Sequence, residues 1–343
     1  MVRFGLGQFT LQIPPWDKRD HAQLYADTLA LAQIAEGAGF DSFWLAEHHG
    51  ASDGYIPALL PFLSAVAAKT TRLEVGSAVM LAPFHNPLRV AEDAAVVDNI
   101  SGGRLNLGLG LGWAPHEYKM FGVDSKGRGK RLEEFVEVLR GAWTGERFSF
   151  AGKHLSYDDV LVRPAPARKI PIWLGGGTPL ALERAARLGD GHFPPSTGSI
   201  GAAVDRGKEI LAIRERLGVS GPYRYGMFLP TGIGNDAEDG WKRIRDGLLH
   251  VRGAYALWGQ GEKDVSNARD VAAQWEDSVR EGALVGSPGE IVDALAPHVR
   301  ELDSLDFEDV FISVILAPPG TPMDVAAEAV ETFGSKVIAS LRR

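Results

Sequence analysis

Two hydrophobic rhythms alternate along the chain. Short runs that are apolar on both faces (Arg3–Phe9, Asp41–Ala46, Leu73–Met80, Leu105–Leu111) are separated by longer stretches with apolar residues every three or four positions. The first kind predicts strands of a sheet covered on both sides, the second helices with one buried stripe. Leu24, Leu31, Ile34 and Ala35 share one face of a helix over His21–Ala38, closed by Gly37 and Gly39. Leu59, Leu60, Leu63 and Val66 repeat the pattern after Pro57, and Val90, Ala94 and Val97 do so within Leu88–Ile100. Up to Leu111 the chain therefore runs strand, loop, helix, with short connections.

The rhythm breaks at Trp113–Lys130, which is polar and glycine-containing and reads as irregular. A helix over Arg131–Trp143 follows, then an insertion over Thr144–Lys169 rich in proline, glycine and aromatic residues that suits a hairpin. Strands resume at Ile170–Leu174, Gly191–Phe193, Tyr223–Leu229 and Val310–Ile315. Helices are predicted over Pro179–Leu188, Ile200–Leu217, Gly240–Trp258, Pro288–Leu302 and Met323–Leu341, and Gly259–Gly282, polar and charged, is expected to be mobile. About eight strands separated by helices predict an α/β fold, a single (β/α)8 TIM barrel with insertions spanning residues 1–343. A doubly wound open sheet is the rival, but it usually divides a chain of this length and no linker is visible.

Composition narrows the function. The net charge of −8, spread over 343 residues, argues against nucleic acid or an anionic membrane as partner. With no cysteine, disulfides, thiolate metal sites and cysteine nucleophiles are excluded. No basic and apolar leader and no membrane-length apolar run is present, so a cytoplasmic protein is expected.

Candidate chemistry gathers at predicted strand ends. Glu47, His48 and His49 follow the second strand, where such folds build their sites. Metal binding by the three is disfavoured, since strand neighbours point to opposite faces and a His-x-His pair is absent. Gly175-Gly176-Gly177-Thr178-Pro179 joins a strand to a helix. Its free N–H groups and hydroxyl suit a phosphate, although Thr178 and Pro179 are also good helix-capping chemistry. Gly108, Gly110 and Gly112 alternate along the fourth strand and leave one face bare, either for a flat ring or to relieve crowding at the barrel wall. Gly76-Ser77-Ala78-Val79 likewise leaves room for a ring; Asn86 either hydrogen-bonds a heterocycle edge or caps the helix opened by Pro87. His116, Glu117 and Tyr118 read as surface.

These stretches, in this order, resemble the bacterial luciferase-like family of flavin-dependent oxidoreductases. The carrying motifs are Gly-Phe-Asp-Ser-Phe-Trp-Leu-Ala-Glu-His-His at 39–49, Leu-Glu-Val-Gly-Ser-Ala-Val at 73–79 and Asn-Pro-Leu-Arg-Val-Ala-Glu-Asp at 86–93. They continue with Ser-Gly-Gly-Arg-Leu-Asn-Leu-Gly-Leu-Gly at 101–110 and Pro-Ile-Trp-Leu-Gly-Gly-Gly-Thr at 171–178, and a weaker echo lies at 285–295. The resemblance implies a luciferase-like barrel binding reduced FMN at its C-terminal mouth, or in some branches a deazaflavin coenzyme. It implies that His48 is catalytic and that Ala78–Val79 is a non-prolyl cis peptide against the ring. It further implies that Gly176, Gly177 and Thr178 contact phosphate and that His192 and Phe193 lie near the ring plane. Trp44, Phe9 and Trp113 are candidate pocket walls, Trp44 equally a core residue. The family's phosphate-binding arginine is replaced here by Leu111, so anchoring must come from elsewhere.

The implied activity is monooxygenation of a small organic substrate, with reduced FMN supplied by a partner flavin reductase, His48 as acid/base and a homodimeric assembly. Hydride transfer with a deazaflavin, and flavin binding without catalysis, are the alternatives.

Overall fold

In the computed structural model, which describes residues 1–195 and 198–342, eight parallel strands close into a barrel. They are β1 (Val2–Phe9), β2 (Ser42–Leu45), β3 (Glu74–Ser77), β4 (Leu105–Gly110), β5 (Ile172–Gly175), β6 (Gly191–Phe193), β7 (Arg224–Ile233) and β8 (Asp309–Ile315). Each pairs with the next, and β8 pairs with β1 from Val2–Val310 to Leu6–Val314, which completes the ring. The covering helices are α1 (His21–Gly37), α2 (Leu59–Lys69), α3 (Pro87–Ser101), α4 (Pro115–Phe121), α5 (Arg128–Ala142), α6 (Pro179–Leu188), α7 (Ile200–Arg216), α8 (Ala237–Gly259), α9 (Pro288–Asp303) and α10 (Met323–Thr332). No helix among the described residues is long and apolar enough to cross a membrane.

Large rings fill the barrel axis. Trp44, Trp173, Phe193 and Phe311 are buried together with Ala78, meeting mostly edge to face, as their quadrupoles favour. The Trp44–Phe193 centroids are 4.6 Å apart at 69°. Four rings fit because the strands paired beside them carry glycine. A Cβ on Gly76 would overlap the Trp44 ring, one on Gly226 the Phe193 ring and one on Gly191 the Trp173 ring.

Below the rings, at the N-terminal end of the barrel, charges alternate. Arg3 bonds Glu74 at 2.5 Å, Asn106 donates to Glu74 at 2.7 Å, and both Trp173 Nε1 and Arg224 donate to Asn106, at 3.1 and 3.2 Å. Plug and floor together seal the axis, so only the C-terminal mouth is left for a ligand.

Three stretches depart from the sequence pattern. The third strand stops at Ser77, because the chain turns at a cis Ala78–Val79 peptide before Met80–Leu81 pairs with β4. The polar stretch after Gly112 holds a helix, α4, whose buried face consists of His116, Glu117 and Tyr118. Gly259–Gly282, expected to be mobile, carries helical turns at Ala268–Ala272 and Glu276–Glu281. Val265, Ala268 and Ala272 are buried there, and Gly253 of α8 lies so close to the Ala268 carbonyl that a Cβ would overlap it. The insertion forms the expected antiparallel hairpin, Phe148–Ala151 with Ser156–Val160.

Gly76→Ala should cost about 1–3 kcal/mol by overpacking against Trp44. Combining it with Trp44→Phe should cost less than the two changes summed, because the smaller ring makes the room. Urea unfolding of the two single variants and the double variant checks this; strict additivity would show that Gly76 and Trp44 do not share the space.

Candidate active site

Past Leu45 the strand ends, and Glu47, His48 and His49 are all buried at the mouth. Glu47 and His49 turn to one side. A single Glu47 carboxylate oxygen accepts from His49 Nε2 at 2.9 Å, from His85 Nε2 at 2.7 Å and from the Leu81 N–H at 3.3 Å. Burial alone would push the Glu47 carboxyl up, but the hydrogen bonds and charges of the two histidines outweigh it and hold it below the usual range. His85 is raised in turn: burial works against the charged form, and the Glu47 hydrogen bond and charge, with Asp93, prevail. These three are the one group among the described residues with ligand atoms spaced for a metal. Both histidines bond the same Glu47 oxygen, Oε1, while Oε2 is buried without a partner among the described residues.

His48 turns the other way. Its Nδ1 lies 2.9 Å from Glu117 Oε1, which also accepts the His49 backbone N–H at 2.8 Å. A carboxylate only accepts, so Nδ1 carries the proton, and Nε2 is the nitrogen free to take or give one. Nε2 has no hydrogen-bond partner among the described residues and is not one of the sealed unpaired atoms. Four aromatic rings surround the imidazole: Tyr55 and Trp258 at 4.9 Å, Tyr255 at 5.2 Å and Trp113 at 6.1 Å between centroids. The Tyr55 and Tyr255 hydroxyls meet at 3.3 Å. Burial keeps both phenols protonated, Tyr255 pushed up to about 12.

Glu117 corrects the sequence reading, which placed His116–Tyr118 at the surface. Its side chain is fully buried, and His116 Nε2 donates to the His49 carbonyl at 3.0 Å. The helix is too short for a clear period, seven residues between Pro115 at its first position and the left-handed cap Gly122, which were its local marks.

The other expected site residues divide. Ala78–Val79 is cis, and the Ala78 carbonyl accepts from Gln8 Nε2 at 2.6 Å. Val79 fills the bare face of the glycine strand: a Cβ on Gly110 would overlap Val79 Cγ2, and one on Gly175 would come within 3.1 Å of Cγ1. Gly110 thus makes room for a side chain. Ser77 Oγ is spent on Gly108, bonding both its carbonyl and its N–H at 2.9 Å. Asn86 Oδ1 caps α3, accepting from Leu88 and Arg89. His192 lies on the face of β6 opposite Phe193, its Nδ1 2.8 Å from the Leu174 carbonyl, and burial pushes it down to about 4. It does not reach the mouth. Phe193 belongs to the axial plug and stacks on Phe228 at 4.8 Å. Trp44 is core. Phe9 is buried and stacks on Phe43 at 4.7 Å; of the three candidate pocket walls only Trp113 stands beside His48.

The turn after β5 leaves backbone N–H groups unpaired, among the described residues, at the start of α6. Gly176 has φ +121°, which requires glycine, and a Cβ on Gly177 would press on Pro195 at 3.0 Å. Thr178 caps α6, its Oγ1 accepting from Ala181 N at 3.3 Å. The N–H groups of Gly177 and Thr178 donate to nothing among the described residues. A cation missed in the sequence stands near the fourth strand's end: Arg128, the first residue of α5, donates to the Gly112 carbonyl at 3.0 Å and lies over the Tyr118 ring. Arg184 of α6 reaches its neighbour Gly129. Arg128 thus sits one residue from Leu111, where the resemblance calls for an arginine.

Comparison with known proteins bears on the family and the fold. A family profile described as luciferase-like monooxygenase matches residues 9–303. The oxygenase component of a flavin-dependent trigonelline monooxygenase from Acinetobacter baylyi is 24% identical over 307 residues, 82% of each chain. An F420-dependent glucose-6-phosphate dehydrogenase from Kineococcus radiotolerans is 34% identical over 196 residues, 54% of this chain and 57% of its own. Among solved structures, the monooxygenase RslO1 from Streptomyces bottropensis superposes with a TM-score of 0.79 at 25% identity, covering 98% of this chain and 99% of its own.

The Glu47 cluster makes stability depend on pH. His85 binds its proton more tightly folded than unfolded, so its contribution is whole below its ordinary 6.5 and fades as the pH climbs through the raised value. Glu47 is the converse, contributing fully above 4.5 and losing that as the pH falls through its lowered value. His85→Asn should therefore cost about 1–2 kcal/mol at about pH 5.5 and clearly less at about pH 9. Urea unfolding at the two pH values measures it; an equal cost at both would remove the charge from the interaction.

Proposed function

Since the chain belongs to the luciferase-like monooxygenase family and is an oxidoreductase of it, we propose that it is a flavin-dependent monooxygenase acting on a small organic substrate. In this reading it is the oxygenase of a two-component pair, receiving reduced FMN from a separate flavin reductase. The observation that carries the proposal is His48, its Nδ1 fixed by Glu117 and its Nε2 free under four aromatic rings. The relative named as an oxygenase component, matched over 82% of both chains, supports the same choice.

The residues present fit the cofactor. Gly176, Gly177 and Thr178 would hold its phosphate with backbone N–H groups at the start of α6, and Arg128 would supply the cation that Leu111 lacks. Ala78, Val79 and Phe193 would form the bed of the ring. Reduced FMN, when bound, supplies the electron pair with which dioxygen is divided between product and water. His48 Nε2 holds or delivers the proton that this chemistry needs, at a position fixed by Glu117. Tyr55, Tyr255, Trp113 and Trp258 crowd the imidazole and limit the water around it. A second reading, hydride transfer with a deazaflavin coenzyme, is favoured by relatives named as F420-dependent dehydrogenases.

Anaerobic titration with reduced FMN and with the deazaflavin coenzyme, followed by admission of oxygen, separates the two. Tight binding of reduced FMN with oxygen consumption is expected. His48→Asn should lower turnover by about 10²–10³-fold with FMN affinity little changed. Arg128→Ala should weaken FMN affinity about tenfold or more and leave riboflavin, which has no phosphate, unaffected. Binding of the deazaflavin alone, with no oxygen reaction, would overturn the monooxygenase reading.

A further inference from the structure

Glu47, His49 and His85 bring their polar atoms to one point from two separate loops. Glu47 and His49 stand two positions apart just past the end of β2, and both side chains lie on one side of the chain. His48, between them, turns the other way to Glu117. Strand parity argues against Glu47, His48 and His49 as a metal set, but it does not touch this one. His48 drops out, and His85 enters from the segment leading into α3. The Leu81 N–H of the same segment also donates to Glu47 Oε1.

The three supply the ligand atoms of a metal site. Glu47 Oε1 lies 2.9 Å from His49 Nε2 and 2.7 Å from His85 Nε2, and one ligand atom from each residue lies within 4.8 Å of the others. A zinc-type ion holds nitrogen and oxygen at about 2.0–2.1 Å in a tetrahedron, which sets the ligand atoms about 3.3 Å apart. Each ring therefore has to withdraw by only about half an ångström to admit the ion. Neither ring has a hydrogen bond at Nδ1 among the described residues, so its proton can pass there when Nε2 takes a metal. The Glu47 side chain is fully buried, and the Phe84 and Phe121 rings meet His49 edge to face. Such surroundings strengthen the attraction between a carboxylate and a cation. The His85 side chain is 25% exposed, which gives an ion its way in and leaves a fourth position for water. Two imidazoles and a carboxylate favour a divalent transition ion over magnesium or calcium, which take oxygen ligands.

We propose that Glu47, His49 and His85 bind one divalent transition cation of the zinc type, through the carboxylate and the two Nε2 atoms, with water as the fourth ligand. Such an ion ties the loop after β2 to the segment before α3. It also holds the backbone of His48, which lies between two of the ligands, and leaves that imidazole to Glu117. The hydrogen-bonded cluster described above is then the metal-free form, and the pH dependence of His85→Asn belongs to chelator-treated protein. Zinc binding does not depend on the oxygenase reading, and no outcome of the oxygen assay bears on it.

The test is calorimetric titration of the full chain, stripped with chelator, with Zn²⁺ and separately with Mg²⁺. One equivalent of zinc should bind with a Kd of about 1 µM or tighter, and magnesium should give no binding. X-ray absorption at the zinc edge should show two imidazoles and oxygen at about 2.0–2.1 Å. His85→Asn keeps a donor for Glu47 but loses a ligand, and should weaken zinc by about 100-fold or more. His298→Asn, on α9, should leave the affinity unchanged. Zinc at about 100 times its Kd should raise the melting temperature by about 3 °C or more in the parent chain and not in His85→Asn. A Kd weaker than about 100 µM, a shell without two imidazoles, or affinity retained in His85→Asn overturns the proposal. The absorption spectrum of the parent chain decides by itself should His85→Asn fail to fold.

Discussion

Everything chemical in this molecule depends on the packing of four large rings in the barrel axis. Trp44, Trp173, Phe193 and Phe311 cannot share that space unless the neighbouring strands are stripped to glycine at Gly76, Gly191 and Gly226. The fit leaves no passage through the barrel and fixes the level at which a ligand must stop. It also fixes which side of each strand end looks inward, since a strand that placed its rings differently would turn Val79 away from Gly110. The seat of the mouth is thus a consequence of core packing.

Above that level the structure changes its means of cohesion. The segments around the mouth are joined by buried carboxylate–histidine pairs: Glu47 with His49 and His85, Glu117 with His48, and Asp53 with His250 at 2.7 Å. All but Glu47–His49 link pieces far apart in sequence. Glu117 brings α4 to the loop after β2, and Asp53 brings α8, with its Tyr255 and Trp258, to the same loop. Such pairs are costly to desolvate and sensitive to geometry, so they contribute less net stability than their number suggests. What they do set is position. Tyr255 and Trp258 lie over His48 because the helix that carries them is tied down one to two turns earlier at His250.

The division between axis and mouth explains what could be read from the sequence. Strands and helices built on apolar periodicity were legible: Pro179–Leu188 and Gly191–Phe193 stand in the structure with the bounds the pattern gives. The barrel class followed from their count. Glu47 and His48 were legible as a candidate site because ionisable residues follow directly on an apolar strand. Glu117 was not, because α4 is only seven residues long and its contacts mix hydrogen bonds with a few ring contacts from Tyr118 and Phe121, too few to set a period. The same holds for Gly259–Gly282, whose contacts are a few buried side chains and a backbone approach at Gly253. Residues with two plausible uses, such as Asn86, Ser77 and Gly110, were ambiguous for another reason. A cap, a strand tie and a relieved clash demand the same residue types as a ligand contact, and only the partner atom tells them apart.

That ambiguity bears on how a phosphate site can move within one fold. If Leu111 removes an arginine from the end of β4, the charge lost there has to be replaced within reach of the same N–H groups. Arg128 offers a guanidinium from a different element: it opens α5, bonds the carbonyl of Gly112 and rests on Tyr118, whose hydroxyl bonds the carbonyl of Leu111 itself. The substituted position is therefore held, through Tyr118, by the cation that would take over its charge. A guanidinium kept in place by a carbonyl and a ring retains free N–H groups, which a guanidinium paired to a carboxylate would have spent. The two neighbouring arginines differ in that respect, since Arg184 faces Glu133 at 3.4 Å. Of the two, Arg128 is the one left with charge for an incoming anion.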